Sequence, residues 1–289
     1  MSEWDGRGLV STDWLAAHLD DPDLRLFDAT VRLVPKVPGP YEVVSGRAAY
    51  QDAHIPGAGF LDLMADLSDP DSPIPFMMPT VERLAARLGA AGISRGSKIV
   101  VYSWPTPMWA TRLWWMLRSS GIDTVAVLDG GLNKWRAEGR ALEAGPRHYP
   151  PASLSLTARP GAWADKHDVL AAIDDGAVCT INALSPATFQ GTSESSYGRK
   201  GHITGSQNVP YEALLQADGS FRPDAELRPL FAAVGAFERP RVICYCGGGI
   251  SATMDALALT RLGHPDIAIY DGSMWEWAND PALPMATGA

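Results

Sequence analysis

The order of motifs in this chain occurs twice, and that duplication limits the possible folds more than any other feature. In the first half, Ser11-Thr12-Asp13 opens an amphipathic helical pattern, an apolar strand follows at residues 24–29, and His54-Ile55-Pro56-Gly57-Ala58 comes after it. In the second half, a helical pattern around residues 169–173 and a strand at 178–183 lead to His202-Ile203-Thr204-Gly205-Ser206. The correspondence continues downstream. A helix at 80–88 leads to the strand 98–103, as 224–234 leads to 241–246. Asp129-Gly130-Gly131 then answers Asp271-Gly272-Ser273, each with tryptophan close behind, and Ala110-Thr111 and Ala252-Thr253 both begin nineteen residues before the aspartate. Such ordered self-similarity marks two copies of one domain.

Within each copy strands alternate with helices, and the strands are short apolar runs of the kind buried on both faces. The expected fold class is therefore α/β, with two tandem domains, each a mainly parallel sheet flanked by helices. The proline-rich stretch Pro146-Arg147-His148-Tyr149-Pro150-Pro151 fits an extended linker. This gives an N-terminal domain over residues 1–148, a linker over 149–159 and a C-terminal domain over 160–289. Residues 33–44 and 68–79, each studded with prolines, read as excursions peculiar to the first copy.

At 289 residues the chain is comfortable for two domains that each bury a core. A net charge of −9 without any run of Lys or Arg argues against a nucleic-acid partner. The first residues lack the basic and apolar regions of a secretory signal, and no apolar run approaches spanning length, so a cytoplasmic protein without a membrane partner is expected. Three cysteines, Cys179, Cys244 and Cys246, do not make a disulfide scaffold and suit a reducing compartment.

Chemistry concentrates in Val242-Ile243-Cys244-Tyr245-Cys246-Gly247-Gly248-Gly249-Ile250-Ser251, an apolar strand ending on a cysteine, followed by three glycines and a helical pattern. Glycines there let the backbone turn tightly and aim its N–H groups at whatever the sulfur carries. The positive end of the following helix favours thiolate over thiol. Cys246 is thus the candidate nucleophile, while Cys244 and Cys179 read as core. Cys-x-Cys without further ligands is a poor metal site, and no metal is expected. Asp129 and Asp271 read as turn-fixing residues, and Trp275 and Trp277 as either cleft wall or packing.

Tandem copies, His-Ile-x-Gly after the second strand, a cysteine opening a six-residue loop before a helix, and Asp-Gly-Gly/Ser with a following Trp together resemble the rhodanese sulfurtransferases. The resemblance covers nearly the whole chain and implies two rhodanese-like domains, of which only the second is catalytic. In the first copy Ser103 stands where Cys246 stands in the second, and Trp104-Pro105-Thr106-Pro107-Met108-Trp109 replaces the glycines. Two prolines remove N–H donors, and two tryptophans fill the space of a cradle. Cysteine phosphatases, which use a related cradle, place an arginine six positions after the cysteine. That position is Ala252 here, so phosphate chemistry is disfavoured.

The resemblance implies a two-step transfer in which Cys246 takes a sulfane sulfur from a small anionic donor and passes it to a thiol, cyanide or a thioredoxin-like protein. It requires no cofactor. Gly247, Gly248, Gly249, Ile250 and Ser251 would bind the sulfur through their N–H groups. The loop is closer to the Cys-Gly-Ser/Thr-Gly-Val-Thr of relatives acting on 3-mercaptopyruvate than to the cation-bearing loops of those acting on thiosulfate. It departs from the former at Gly248, where a hydroxyl is missing, and at Leu184, where an arginine is missing. Arg199, Lys200 and His54 are the candidates to supply charge or hydrogen bonds to the donor. The rival reading is a persulfide carrier serving a partner protein, with little turnover of free donors.

Overall fold

The structure is a computed structural model and describes residues 4, 8–34, 42–194 and 196–288. It divides into two compact units: Met1–Asp71, Met78–Arg159 and Gln216–Phe221 form one, and Ser72–Met77, Pro160–Leu215 and Arg222–Ala289 the other.

In the first unit the order is β1 (Leu9–Val10), α1 (Thr12–His18), β2 (Leu24–Asp28), β3 (Val31–Val34), β4 (Glu42–Ser45) and α2 (Arg47–Asp52). Then follow β5 (Gly59–Phe60), α3 (Val81–Ala90), β6 (Lys98–Tyr102), α4 (Met108–Ser119), β7 (Val125–Leu128) and α5 (Gly131–Ala137). The second unit begins with β8 (Trp163–Ala164), α6 (Lys166–Ala172), β9 (Val178–Asn182), α7 (Pro186–Phe189), β10 (His202–Ile203) and β11 (Gln207–Asn208). It ends with α8 (Asp224–Ala233), β12 (Arg241–Tyr245), α9 (Ala252–Arg261), β13 (Ile267–Tyr270), α10 (Ser273–Trp277) and β14 (Met285–Ala286).

The two five-stranded sheets have one topology. Their strand orders are β5-β2-β6-β7-β1 and β11-β9-β12-β13-β8, parallel at every pairing. The central strands are buried along nearly their whole length, as parallel strands covered on both faces must be. Helix starts follow the local sequence: Ser11 and Thr80 cap α1 and α3 with their hydroxyls, and Asp165 with Asp168 forms a capping box on α6.

The match extends to single hydrogen bonds. Tyr102 on β6 accepts from the Ile55 N–H, and Tyr245 on β12 accepts from the Ile203 N–H. Asp28 Oδ1 accepts from the Thr30 N–H at the end of β2, and Asn182 Oδ1 accepts from the Leu184 N–H at the end of β9.

Two expectations need adjustment. Residues 149–159 run without regular structure, but they count with the first unit, where the Ala152 N–H donates to Gly89 O and the Arg159 N–H to Ser119 O. The excursion at 33–44 carries part of an antiparallel pair, β3 with β4, and its residues 35–41 lie outside the described residues.

Candidate active site

Strand β12 delivers Cys246 to the C-terminal edge of the second sheet, where ligands collect in open parallel sheets. The side chain is 2% exposed. Residues 247–251 then turn the chain into α9, so the cysteine faces a helix N-terminus and its partial positive charge.

Ser273, at the start of α10, sets the shape of this turn. Its hydroxyl accepts from the Cys246 N–H at 3.1 Å and the Gly249 N–H at 3.0 Å, and donates to Tyr270 O at 2.7 Å. Met274 N–H to Cys246 O and Trp275 N–H to Gly247 O continue the clasp. To reach this position Ser273 adopts φ of 48°, a conformation a non-glycine residue holds only where its surroundings impose it.

The Gly249 N–H is therefore already occupied by Ser273, which corrects the expectation that all five loop amides face the sulfur. Among the described residues, the N–H groups of Gly247, Gly248, Ile250 and Ser251 have no acceptor. All but Gly248 belong to buried residues. Buried backbone donors are nearly always paired, so unpaired ones in the five residues that follow one cysteine mark a place suited to an electron-rich atom.

The bareness of the loop has a steric cause. A β-carbon at position 247 would fall on the phenol ring of Tyr197, and one at 248 would sit 3.2 Å from Trp275 Cδ1. Tyr197 and Trp275 stand edge to face, with ring centroids 6.3 Å apart. Trp275 is 47% exposed, whereas Trp277 is fully buried and donates its indole N–H to Pro284 O. The two tryptophans left undivided by the sequence thus have different roles.

Arg199 is placed otherwise than expected. Its guanidinium donates to the carbonyls of Trp277, Ala278, Asp280 and Leu283, which leaves little donor capacity for a substrate anion. It ties the segment after Tyr197 to the segment after Trp275. Asn279 does the same, with its amide NH2 donating to Tyr197 O and Trp275 O. Lys200 is exposed in the next position.

His54 is corrected outright. It is wholly buried in the first unit, its Nδ1 is 2.8 Å from Tyr50 O, its Nε2 is 3.3 Å from Glu143 Oε1, and its ring stacks on Tyr50. His202, its counterpart, likewise bonds Phe189 O and stacks on Phe189. Both histidines are buried and fasten the loop entering the sheet to the preceding helix.

The other two cysteines are core. Burial pushes the Cys244 thiol well above its ordinary range and raises that of Cys179, whose Sγ lies 3.5 Å from Val234 O. In the first unit, Ser103 at the position of Cys246 closes on its own loop, donating to Thr106 O and accepting from the Ala110 N–H. Sequence reasoning passed over Ser273 and Tyr197. The difference between Gly131 and Ser273 in otherwise matching turns was the available signal for the first, while nothing local distinguishes Tyr197.

Comparison with known proteins agrees with this geometry. The rhodanese-like domain family matches twice, over residues 11–138 and 166–280. The chain is 35% identical to the 3-mercaptopyruvate sulfurtransferase of Escherichia coli K12 over 279 residues, covering 96% of each chain. It is 34% identical to the thiosulfate sulfurtransferase of Bos taurus, over 94% of this chain and 92% of the relative. The crystal structure of SseA from Escherichia coli superposes with a TM-score of 0.81 at 34% identity, covering 92% of this chain and 98% of the other. With the repeat, the shared topology and a cysteine in an amide-lined turn already established, the chain belongs to the rhodanese family and consists of two rhodanese-like domains.

Proposed function

We propose that this protein is a sulfurtransferase that carries sulfane sulfur on Cys246. The observation that carries the reading is a buried cysteine followed at once by a glycine-rich turn with four unpaired N–H groups and a helix start. With thiosulfate, the Cys246 thiolate attacks the outer sulfur, the S–S bond breaks, and sulfite leaves with the electron pair. With 3-mercaptopyruvate, the S–C bond breaks instead, and the carbon that receives the electron pair takes the thiol proton to give pyruvate. Either route leaves Cys246–S–S⁻. The N–H groups of Gly247, Gly248, Ile250 and Ser251 are the donors available to hold its terminal sulfur. A thiol, cyanide or a thioredoxin-like protein then attacks that sulfur and releases the thiolate.

A loop without cations favours the singly charged 3-mercaptopyruvate over the thiosulfate dianion. The relatives in Escherichia coli and Pseudomonas aeruginosa that are named for 3-mercaptopyruvate support that preference. The first unit, with Ser103 bonded into its own loop, takes no part in sulfur chemistry. Steady-state turnover of both donors with cyanide and with a dithiol tests the assignment. The intact protein should turn over 3-mercaptopyruvate with the higher kcat/KM, and Cys246→Ala should abolish turnover with every donor and acceptor pair. Full turnover in that variant would remove Cys246 from the mechanism.

A further inference from the structure

The glycine at 247 is fixed by a neighbour, not only by the need to turn the chain. Tyr197 lies where any side chain at 247 would begin, and it enters from a different segment, held in place by Asn279 through its carbonyl oxygen. Trp275 borders Gly248 more loosely, and Asn279 binds its carbonyl too. Both aromatic rings, the loop and the clamping asparagine belong to the second unit. The mouth of the site is therefore walled by a phenol and an indole where a loop side chain would otherwise stand.

We propose that Tyr197 is a specificity-determining residue of this site, its phenol filling the volume of the first loop side chain and excluding a cation there, so that donors with a single negative charge are preferred over dianions. This rests on the sulfur-transfer reading above. The physical content is a steric coupling between positions 197 and 247. With the phenol in this position, a side chain at 247 has to displace it, which disfavours a charge-assisted hydrogen bond from that position to a dianionic donor. Trp275 constrains position 248 less tightly, because a β-carbon there needs only a small shift of the indole.

The test is a cycle of Tyr197→Ala, Gly247→Arg and the double variant, each measured for kcat/KM with thiosulfate and 3-mercaptopyruvate, for melting temperature, and by mass spectrometry for sulfur on Cys246. Gly247→Arg alone should melt lower than the parent and lose activity with both donors, since the phenol blocks the new side chain. The double variant should recover the melting temperature and shift the kcat/KM ratio toward thiosulfate by about tenfold or more, the scale of one charge-assisted hydrogen bond. An unchanged ratio in a double variant that forms the persulfide would overturn the proposal alone. So would a Gly247→Arg protein that melts like the parent and gains thiosulfate turnover with Tyr197 in place. If the double variant fails to fold, Gly247→Ala decides: it should lower the melting temperature with Tyr197 present and not in the Tyr197→Ala background, and equal effects in both would refute the coupling. Absence of sulfur on Cys246 in the parent with either donor would instead overturn the sulfur-transfer reading, and this proposal with it.

Discussion

A single hydroxyl, that of Ser273, decides the form of the turn after Cys246. It gathers two N–H groups from a loop of glycines that have no side chains to order themselves, and it does so from a strained backbone position. The same position in the first unit is Gly131, also at positive φ and without a hydroxyl. Ser273→Gly should relieve the strain and still cost activity, because two buried donors lose their acceptor, at about 1–3 kcal/mol each. We expect the rate of persulfide formation to fall roughly tenfold or more, with a smaller loss of melting temperature than in Ser273→Ala, which keeps the strain without the hydroxyl. Rapid-mixing kinetics with donor, beside thermal melts, measure both. A Ser273→Gly protein with the parent's rate would show that the glycines order themselves.

Elements are joined here by a few polar side chains whose identity the two units share or exchange. Arg199 joins the residues before β10 to the end of α10 through four carbonyls. Arg199→Ala should lower the melting temperature by roughly 3–8 °C, and Arg199→Lys should not restore it, since one ammonium cannot match the fork of a guanidinium. A restored melt in the lysine variant would mean that charge alone suffices. At the ends of β2 and β9, Asp28 and Asn182 accept from equivalent backbone N–H groups. Burial pushes the Asp28 carboxyl up to about 6 from an ordinary 3.8. Between those two pH values the unfolded chain is ionised and the folded one is still protonated, so stability falls as pH rises through that window and levels off above it. Asp28→Asn copies the solution of the second unit. It should flatten that slope and add up to about 3 kcal/mol at neutral pH. Burial also holds Asp255 well above the carboxylate range and gives a slope of the same sign, so the difference between variant and parent in melts from pH 4 to 8 isolates Asp28. A slope that persists unchanged in the variant would contradict this assignment. The strands and the position of the cysteine loop were legible in the sequence because apolar runs and glycines act locally. Arg199 misled because the carbonyls it binds lie 78 to 84 residues away, and His54 because burial against Tyr50 and Glu143 is not written in its neighbours; a free polar group and a saturated one look alike in one dimension.

At the scale of the whole molecule, one sheet topology has been used twice, and the loop after its central strand opens on Ser103 in the first copy and on Cys246 in the second. The repeat made the fold readable without any structure, since matching motifs in matching order leave little choice of connection. What it could not show is how each loop is closed: by Ser273 and Tyr197 in the second unit, and by Ser103 on itself in the first. Transplanting the nucleophile therefore should not transplant the activity. A Ser103→Cys/Cys246→Ala protein is expected to remain without turnover, because Pro105 and Pro107 offer no N–H groups to a persulfide. Measurable turnover would show that the first loop is more permissive than its geometry implies. The central claim, that Cys246 carries the sulfur, is met most directly by mass spectrometry of the protein after brief exposure to 3-mercaptopyruvate or thiosulfate. One added sulfur atom on the peptide bearing Cys246, absent from Cys246→Ala and removed by cyanide, is the expected result. Sulfur on Cys179 or Cys244 instead, or none on any cysteine while turnover proceeds, would contradict it.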